Sequence, residues 1–226
     1  MTSQTSAAAN YTSDSGESYL ARRAGAASDH VQTLRASLYQ DLAKPSATIL
    51  DFGCGTGGIL ERLDCADRIG IEIGEAAAQV ARDKGITVHP DLSRVADHSV
   101  DTVISFHALE HVETPATILR ELARVAKPGA HIRLIVPGEN PRDRRQAEWR
   151  PNRDMHLFTW TPLLFGNLAQ IAGLTDIRTR IEPMPTGSRL VRYLRPAAPL
   201  ARLAHHRIAD RLNSWNVILD CRAPAA

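Results

Sequence analysis

Long apolar runs are what this 226-residue chain most clearly lacks. Nothing approaches the ~18 consecutive apolar residues of a membrane-spanning helix, so no such span is expected. Cysteine is scarce as well: Cys54, Cys65 and Cys221 are odd in number and show no C-x-x-C spacing. That argues against a disulfide framework and against a cysteine zinc site. Residues 1–18, rich in Ser, Thr and Ala, have no basic start and no apolar stretch. The expectation is a disordered tail, no secretory leader and a cytoplasmic protein. Lysine is nearly absent, with 3 Lys against 24 Arg.

With 43% hydrophobic residues the chain can bury the core of one domain of about 200 residues plus appendages. Its net charge of +2 is unevenly spread. From Arg142 onward there are 14 Arg against 7 acids, whereas residues 1–141 carry 13 basic and 18 acidic side chains. A basic back third fits an acidic or phosphorylated acceptor or an anionic surface; it also fits Arg standing in for Lys on solvated faces.

What is present begins with Ile49-Leu50-Asp51-Phe52 followed by Gly53-Cys54-Gly55-Thr56-Gly57-Gly58. An apolar strand ends in an acid and then turns on glycines, where the backbone needs positive φ or must lie against a ligand with no Cβ between. A helix is expected to follow and to present free N–H groups to that ligand. Gly53, Gly55 and Gly58 also satisfy the dinucleotide pattern G-x-G-x-x-G, with Glu72 at about the 20-residue distance of a ribose-binding acid. Asp51 separates the two readings: a carboxylate before the glycines opposes a pyrophosphate and favours a cationic, phosphate-free adenosyl ligand.

Strand, acid and the run Gly53, Gly55, Gly57 resemble the first motif of class I S-adenosylmethionine-dependent methyltransferases. The resemblance implies S-adenosylmethionine as cofactor. It implies a Rossmann-like α/β fold, a seven-stranded mostly parallel sheet with an antiparallel last strand and helices on both faces. Its cofactor residues would be Asp51, Gly53, Cys54, Gly55 and Gly57 at the loop, Glu72 on the ribose hydroxyls with Ile73 beside it, Asp91 and Leu92 at the adenine, and Phe106.

Hydrophobic spacing supplies the alternating pattern. Helix is expected over Tyr19 to Leu42, Glu75 to Lys84, Pro115 to Ala126 and Pro162 to Ala172. Strands are expected at Thr48 to Phe52, Arg68 to Ile73, Ile86 to His89, Val100 to Phe106, His131 to Val136, Ile177 to Ile181 and Asn216 to Cys221. Alternating strands and helices make a parallel sheet whose ligands lie beyond the strand carboxyl ends. Residues 138–160 lack a period and read as a lid-like loop. Residues 185–213 read as a helical insertion with Leu200, Leu203, Ile208 and Leu212 on one stripe among arginines, which would cap the acceptor site, join a homodimer or touch a membrane, in that order of preference.

A second motif runs Asp101-Thr102-Val103-Ile104-Ser105-Phe106-His107-Ala108-Leu109-Glu110-His111-Val112. It resembles the fourth-strand segment that lies beside the transferred methyl in small methyltransferases. Ubiquinone-type O-methyltransferases carry Glu-x-x-Glu-His here, some with a divalent ion; this chain has His107 in place of the first Glu. If the turn is helical, His107, Glu110 and His111 share a face. Three roles stay open for them: a general base at His111 or His107, metal ligands with His156 as fourth donor, or structural anchors. No resident metal is assigned. Asn152 to Thr159 resembles the His-x-Phe segment of methyltransferases in ubiquinone and polysaccharide pathways, which makes His156, with Tyr19 and Arg22, the expected acceptor pocket.

The resulting expectation is methyl transfer to a small, hydroxylated acceptor such as a sugar or isoprenoid-pathway intermediate. Histidine near pKa 6.5 suits removal of a hydroxyl proton. Nucleic acid is not expected as a partner, for want of an Asn/Asp-Pro-Pro-aromatic motif. An NAD-dependent oxidoreductase and a non-catalytic binding module remain the alternatives.

Overall fold

The computed structural model describes residues 29–139, 148, 155–183 and 215–225. The expected tail at 1–18, Tyr19, Arg22, most of the lid-like loop and the insertion at 185–213 lie outside the described residues.

Seven strands form one sheet: β1 (Thr48–Phe52), β2 (Asp67–Ile71), β3 (Thr87–His89), β4 (Val100–Phe106), β5 (Ala126–Pro137), β6 (Thr175–Pro183) and β7 (Trp215–Arg222). Their spatial order is β3-β2-β1-β4-β5-β7-β6. The strands from β3 to β5 pair in parallel, and β7 runs antiparallel to both neighbours. The sheet expected from the resemblance is therefore the one observed. Among the described residues four α-helices cover it: α1 (Asp29–Ala36), α2 (Glu75–Arg82), α3 (Pro115–Val125) and α4 (Pro162–Ile171).

Burial on both faces explains the apolar runs in the central strands. In β1, Ile49 faces a cluster with Ala36, Tyr39, Ala78 and Ala81, while Leu50 faces one with Leu119, Leu122, Phe165 and Ala169. The first cluster is roofed by α1 and α2, the second by α3 and α4. Order along the sheet reverses between β1 and β4, the place where open α/β sheets bind their ligands.

Three expectations change. The long first helix spans only Asp29–Ala36 within the described residues and gives way to a 3₁₀ turn at Gln40–Leu42. Contacts with the sheet hold the chain there: Arg133 Nη1 donates to the Leu38 carbonyl at 2.7 Å, and the buried Tyr39 hydroxyl donates to the Ser105 carbonyl at 2.7 Å. The glycine loop leads not into an α-helix but into a single 3₁₀ turn, Leu60–Arg62. Successive Gly57 and Gly58 disfavour helix, and β2 begins at Asp67, leaving too few residues for one. Lys127-Pro128-Gly129, expected as a stop, lies inside β5. Val100 pairs with Ala126 and Thr102 with His131, so the extra residues bulge out of the ladder where Pro128 has no N–H to give.

Strand two is shorter than expected and ends at Ile71, placing Glu72 and Ile73 in the turn beyond it. The other element boundaries shift by one or two residues.

Candidate active site

Gly53 sits at φ +76°, and a Cβ there would lie 2.4 Å from Cβ of Ala108. The glycine is needed because the turn after β4 rests directly on the loop after β1. Gly55, at φ +53°, has no atom within 4 Å of its Cβ position, so the loop's crest faces open space. Cys54 is buried; its sulfur packs where a Cβ on Gly70 would be, 2.4 Å away. Burial pushes its thiol well up.

Two carboxyls line the loop. Asp51 is 1% exposed, and its Oδ1 has no hydrogen-bond partner among the described residues. Burial first, and the neighbouring Glu72 second, hold its carboxyl well above the usual carboxylate range. Glu72 receives the Gly55 N–H at 2.9 Å on one oxygen and the Gly74 N–H at 2.7 Å on the other. Burial raises this carboxyl too, opposed by those backbone donors. Each Glu72 oxygen keeps a lone pair that a ribose hydroxyl can use. Ile73 is 43% exposed at the same edge, an apolar surface that an adenine ring would cover.

Asp91 is exposed and caps the 3₁₀ turn Leu92–Arg94, accepting the Ser93 N–H at 2.9 Å and the Ser93 hydroxyl. Those bonds hold it below the ordinary range. Leu92 is buried among the α3-side core. Phe106 is buried at the end of β4, with the Arg35 guanidinium 4.8 Å above its ring on one approach and His107 stacked at 4.2 Å on another. Gln32 covers Gly58, whose Cβ position lies 2.7 Å from that side chain. Helix α1 thus lies over the glycine loop.

The motif after β4 is not helical throughout. His107 takes φ +55°, and only Leu109–His111 form a 3₁₀ turn. The expected common face for His107, Glu110 and His111 is replaced by a convergence on one fully buried carboxylate. Glu110 Oε1 lies 4.0 Å from His107 Nδ1, 3.8 Å from His111 Nε2 and 3.9 Å from His156 Nε2. His156 reaches it because the Leu157 N–H donates to the Glu110 carbonyl at 2.8 Å. His111 is further set by Nδ1, 3.4 Å from the Met155 carbonyl, and by edge-to-face contact with the His156 ring. Glu110, His111 and His156 offer ligand atoms within 4.8 Å of one another, a set that could hold a divalent ion. His107 is not in that set; its Nε2 meets Asn216 Oδ1 at 2.9 Å.

Sequence reasoning missed Asn216, Tyr39 and Ser105. Tyr39 donates to the Ser105 carbonyl, and the Ser105 hydroxyl donates to the Phe52 carbonyl at 2.7 Å, tying the ends of β4 and β1 together. Nothing in local spacing reveals such partners; only the sheet order brings them together.

The carboxylates and the missing helix weigh together. A pyrophosphate has no helix N-terminus to meet here and two acids to oppose it, whereas a buried Asp51 whose Oδ1 has no partner among the described residues, an open crest at Gly55 and an apolar Ile73 fit a cationic adenosyl ligand. Comparison with known proteins agrees. Residues 50–134 match the family profile described as a methyltransferase domain. Over that segment the chain is similar to methyltransferases, a class of enzyme that draws on S-adenosylmethionine.

Among its relatives, it is 37% identical over 113 residues to the ubiquinone biosynthesis O-methyltransferase of Hahella chejuensis, a match covering 44% of this chain and 47% of that protein. The match thus spans about half the length of the curated relatives. Among solved structures, it resembles the methyltransferase in complex with the Haloferax volcanii Trm112 methyltransferase activator, with TM-score 0.67, 20% identity and coverage of 90% and 94% of the two chains. A SAM-dependent methyltransferase from Thermotoga maritima gives TM-score 0.63 at 17% identity, covering 91% and 96%. Among the described residues no helix is long and apolar enough to cross a membrane.

Proposed function

We propose that the chain transfers the methyl group of S-adenosylmethionine to a hydroxyl oxygen of a small-molecule acceptor. The observation that carries this is the gathering of His111 and His156 about the buried Glu110, on the turn that touches the cofactor loop through Ala108 and Gly53. The cofactor supplies an electrophilic methyl on a sulfonium, already a good leaving group. What the chain must add is alignment, with effective molarities of about 10⁵–10⁸ M available from it, and a place for the hydroxyl proton.

His111 can provide that place. Its Nδ1 faces the Met155 carbonyl, which favours a proton on Nδ1 and leaves Nε2 as the accepting nitrogen toward the cluster. As the oxygen attacks, the hydroxyl proton passes to Nε2, and the imidazolium so formed stands 3.8 Å from the Glu110 carboxylate. Burial of Glu110 makes that neutralisation stronger than in water. Asp51 and Glu72 hold the ligand's ammonium and ribose ends, and Tyr39 with Ser105 keeps the two loops in register.

The partial likeness to ubiquinone O-methyltransferases supports a hydroxylated acceptor, and the basic back third supports an acidic or phosphorylated one. A cytoplasmic location and a homodimer belong to the same reading. In a metal-assisted variant of it Glu110, His111 and His156 would hold a divalent ion, which would supply Lewis-acid activation of the acceptor hydroxyl.

The test is transfer of labelled methyl from S-adenosylmethionine into fractionated small-molecule extracts, with mass analysis of the product. His111→Gln should lower turnover by about 10²–10⁴ with cofactor affinity unchanged. Full activity in chelator removes the metal variant, and a labelled nitrogen or carbon instead of oxygen removes the hydroxyl reading.

A further inference from the structure

We propose that Arg133 is a positioning residue for the cofactor. With Asp41 it clamps the segment that follows α1 to β5, keeps α1 seated over the glycine loop, and so sets how slowly the adenosyl ligand leaves. The geometry of the clamp stands alone; its effect on the ligand rests on the S-adenosylmethionine reading of that loop.

Helix α1 has few apolar anchors. Of its eight residues only Val31 and Ala36 are buried, and a short helix so lightly packed opens readily unless other contacts hold it. Its contacts with the ligand-binding end of the sheet are nonetheless close. The Gln32 side chain lies 2.7 Å from the Cβ position of Gly58, and the Arg35 guanidinium stands 4.8 Å from the ring centre of Phe106. These contacts place α1 against the loop after β1 and the end of β4 at once, where the sheet order reverses. Lifting α1 uncovers the glycine loop, so the rate of ligand release follows the frequency of that opening.

Polar ties hold α1 down. Arg133 Nε donates to Asp220 at 2.6 Å, Nη1 to the Leu38 carbonyl at 2.7 Å and to Asp41 Oδ1 at 2.6 Å, and Nη2 to Asp41 Oδ2 at 3.0 Å. Asp220 on β7 fixes the inner end of the guanidinium. Asp41 takes the outer end through both oxygens, a pairing that suits arginine and not lysine. Leu38 and Asp41 lie just beyond Ala36, and between them the Tyr39 hydroxyl donates to the Ser105 carbonyl at 2.7 Å, which carries the same segment against β4. At the start of α1 a second arginine, Arg62, reaches the Gly58 carbonyl at 2.7 Å and Asp29. The helix is thus tied at each end. The Arg133 tie is the drier, with that side chain 9% exposed against 22% for Arg62, so water weakens it less.

The test uses variants of the full chain that spare the core. Asp41→Ala cuts the exposed half of the clamp and leaves Arg133 paired with Asp220; Asp41→Glu keeps a carboxylate there. Lys127→Gln breaks the 2.6 Å pair with Asp101 at the start of β4, the end of the sheet away from the glycine loop, and controls for loss of an ion pair as such. Hydrogen–deuterium exchange of residues 29–36 is read without ligand, and the release rate of S-adenosylhomocysteine by stopped-flow competition. Asp41→Ala should exchange faster over 29–36 and release the ligand ~10-fold faster, as expected for loss of one charge-assisted bond. Asp41→Glu should recover part of both effects, and Lys127→Gln should show neither. Arg133→Lys should release as fast as Asp41→Ala, and the double variant no faster than either, because both changes break one clamp. Should Arg133→Lys fail to fold, the Asp41 variants decide. Unchanged exchange in Asp41→Ala, faster exchange with unchanged release, or equal acceleration in Lys127→Gln overturns the proposal. A wild-type chain that does not bind S-adenosylhomocysteine overturns the cofactor reading and the release claim with it; the exchange measurement needs no ligand and tells that failure from failure of the clamp.

Discussion

Gly53→Ala tests whether the cofactor loop and the histidine turn act as one unit. The new methyl would sit 2.4 Å from Cβ of Ala108. Carbon atoms pack at about 3.5–4.0 Å, so one of the two loops must move by roughly 1 Å or more. Overpacking of this kind costs about 1–3 kcal/mol. Independently, φ of +76° is left-handed, which adds about 1–2 kcal/mol for a residue with a Cβ. The total expected loss is therefore about 2–5 kcal/mol in urea denaturation. The two parts separate in a double-mutant cycle. Adding Ala108→Gly removes the clash and leaves the φ strain, so the pair should show a favourable coupling of about 1–3 kcal/mol. Titration with S-adenosylhomocysteine should follow the same order, weakest in Gly53→Ala and partly restored in the double mutant. A single-mutant cost below about 1 kcal/mol, or no coupling with Ala108→Gly, would refute the contact between the loops.

Three further outcomes are expected. At 100-fold over its dissociation constant S-adenosylhomocysteine should stabilise the chain by about 2.7 kcal/mol, and Glu72→Ala should remove most of the accompanying rise in melting temperature; NADH should give none. Asp51 has a raised folded pKa, so the folded chain binds this proton more tightly than the unfolded one; its contribution is present below the ordinary value of 3.8 and is lost as pH rises above it. Asp51→Asn should therefore stabilise the ligand-free chain at neutral pH, by a margin that shrinks toward pH 3.8, while weakening S-adenosylmethionine binding. Asp220 behaves oppositely. His131, Arg133 and Arg180 hold it well below the usual range against its burial, so its contribution is present above 3.8 and declines as pH falls. With Arg133 Nε at 2.6 Å and that guanidinium only 9% exposed, Asp220→Ala should cost about 3–5 kcal/mol at neutral pH in chemical denaturation, a difference that narrows in acid.

The sequence was most readable where function is local. Asp51 near the end of β1 and the glycines after it are fixed by local spacing, and the pairing of β1 with β2 sets Glu72 against the Gly55 N–H. The gathering of His156 with Glu110 and His111 was partly legible, through the donor types. The Asn216 contact was not, because no periodicity links positions 107 and 216; β7 has to enter between β5 and β6 before they meet. The absent helix after Gly58 is a different kind of miss. Its glycines signal a ligand loop whether or not a helix follows, and the short distance to β2 decides the matter. The shortened α1 follows from Arg133, which reaches into the Leu38–Asp41 segment, and from Tyr39, which ties that segment to β4, together overriding the helical stripe.

The position of β7 also imposes an order on assembly. As the chain leaves the ribosome, β6 emerges before β7, the strand it pairs with, and the edge of β5 stays open until residues 215–222 arrive. A nascent chain that has reached β5 can already shape the glycine loop and Glu72. It cannot yet restrain His107. Cofactor affinity and a competent histidine turn should therefore appear at different moments of synthesis, and a ribosome-bound chain stalled between β6 and β7 would be a binder of the adenosyl ligand long before it is an enzyme.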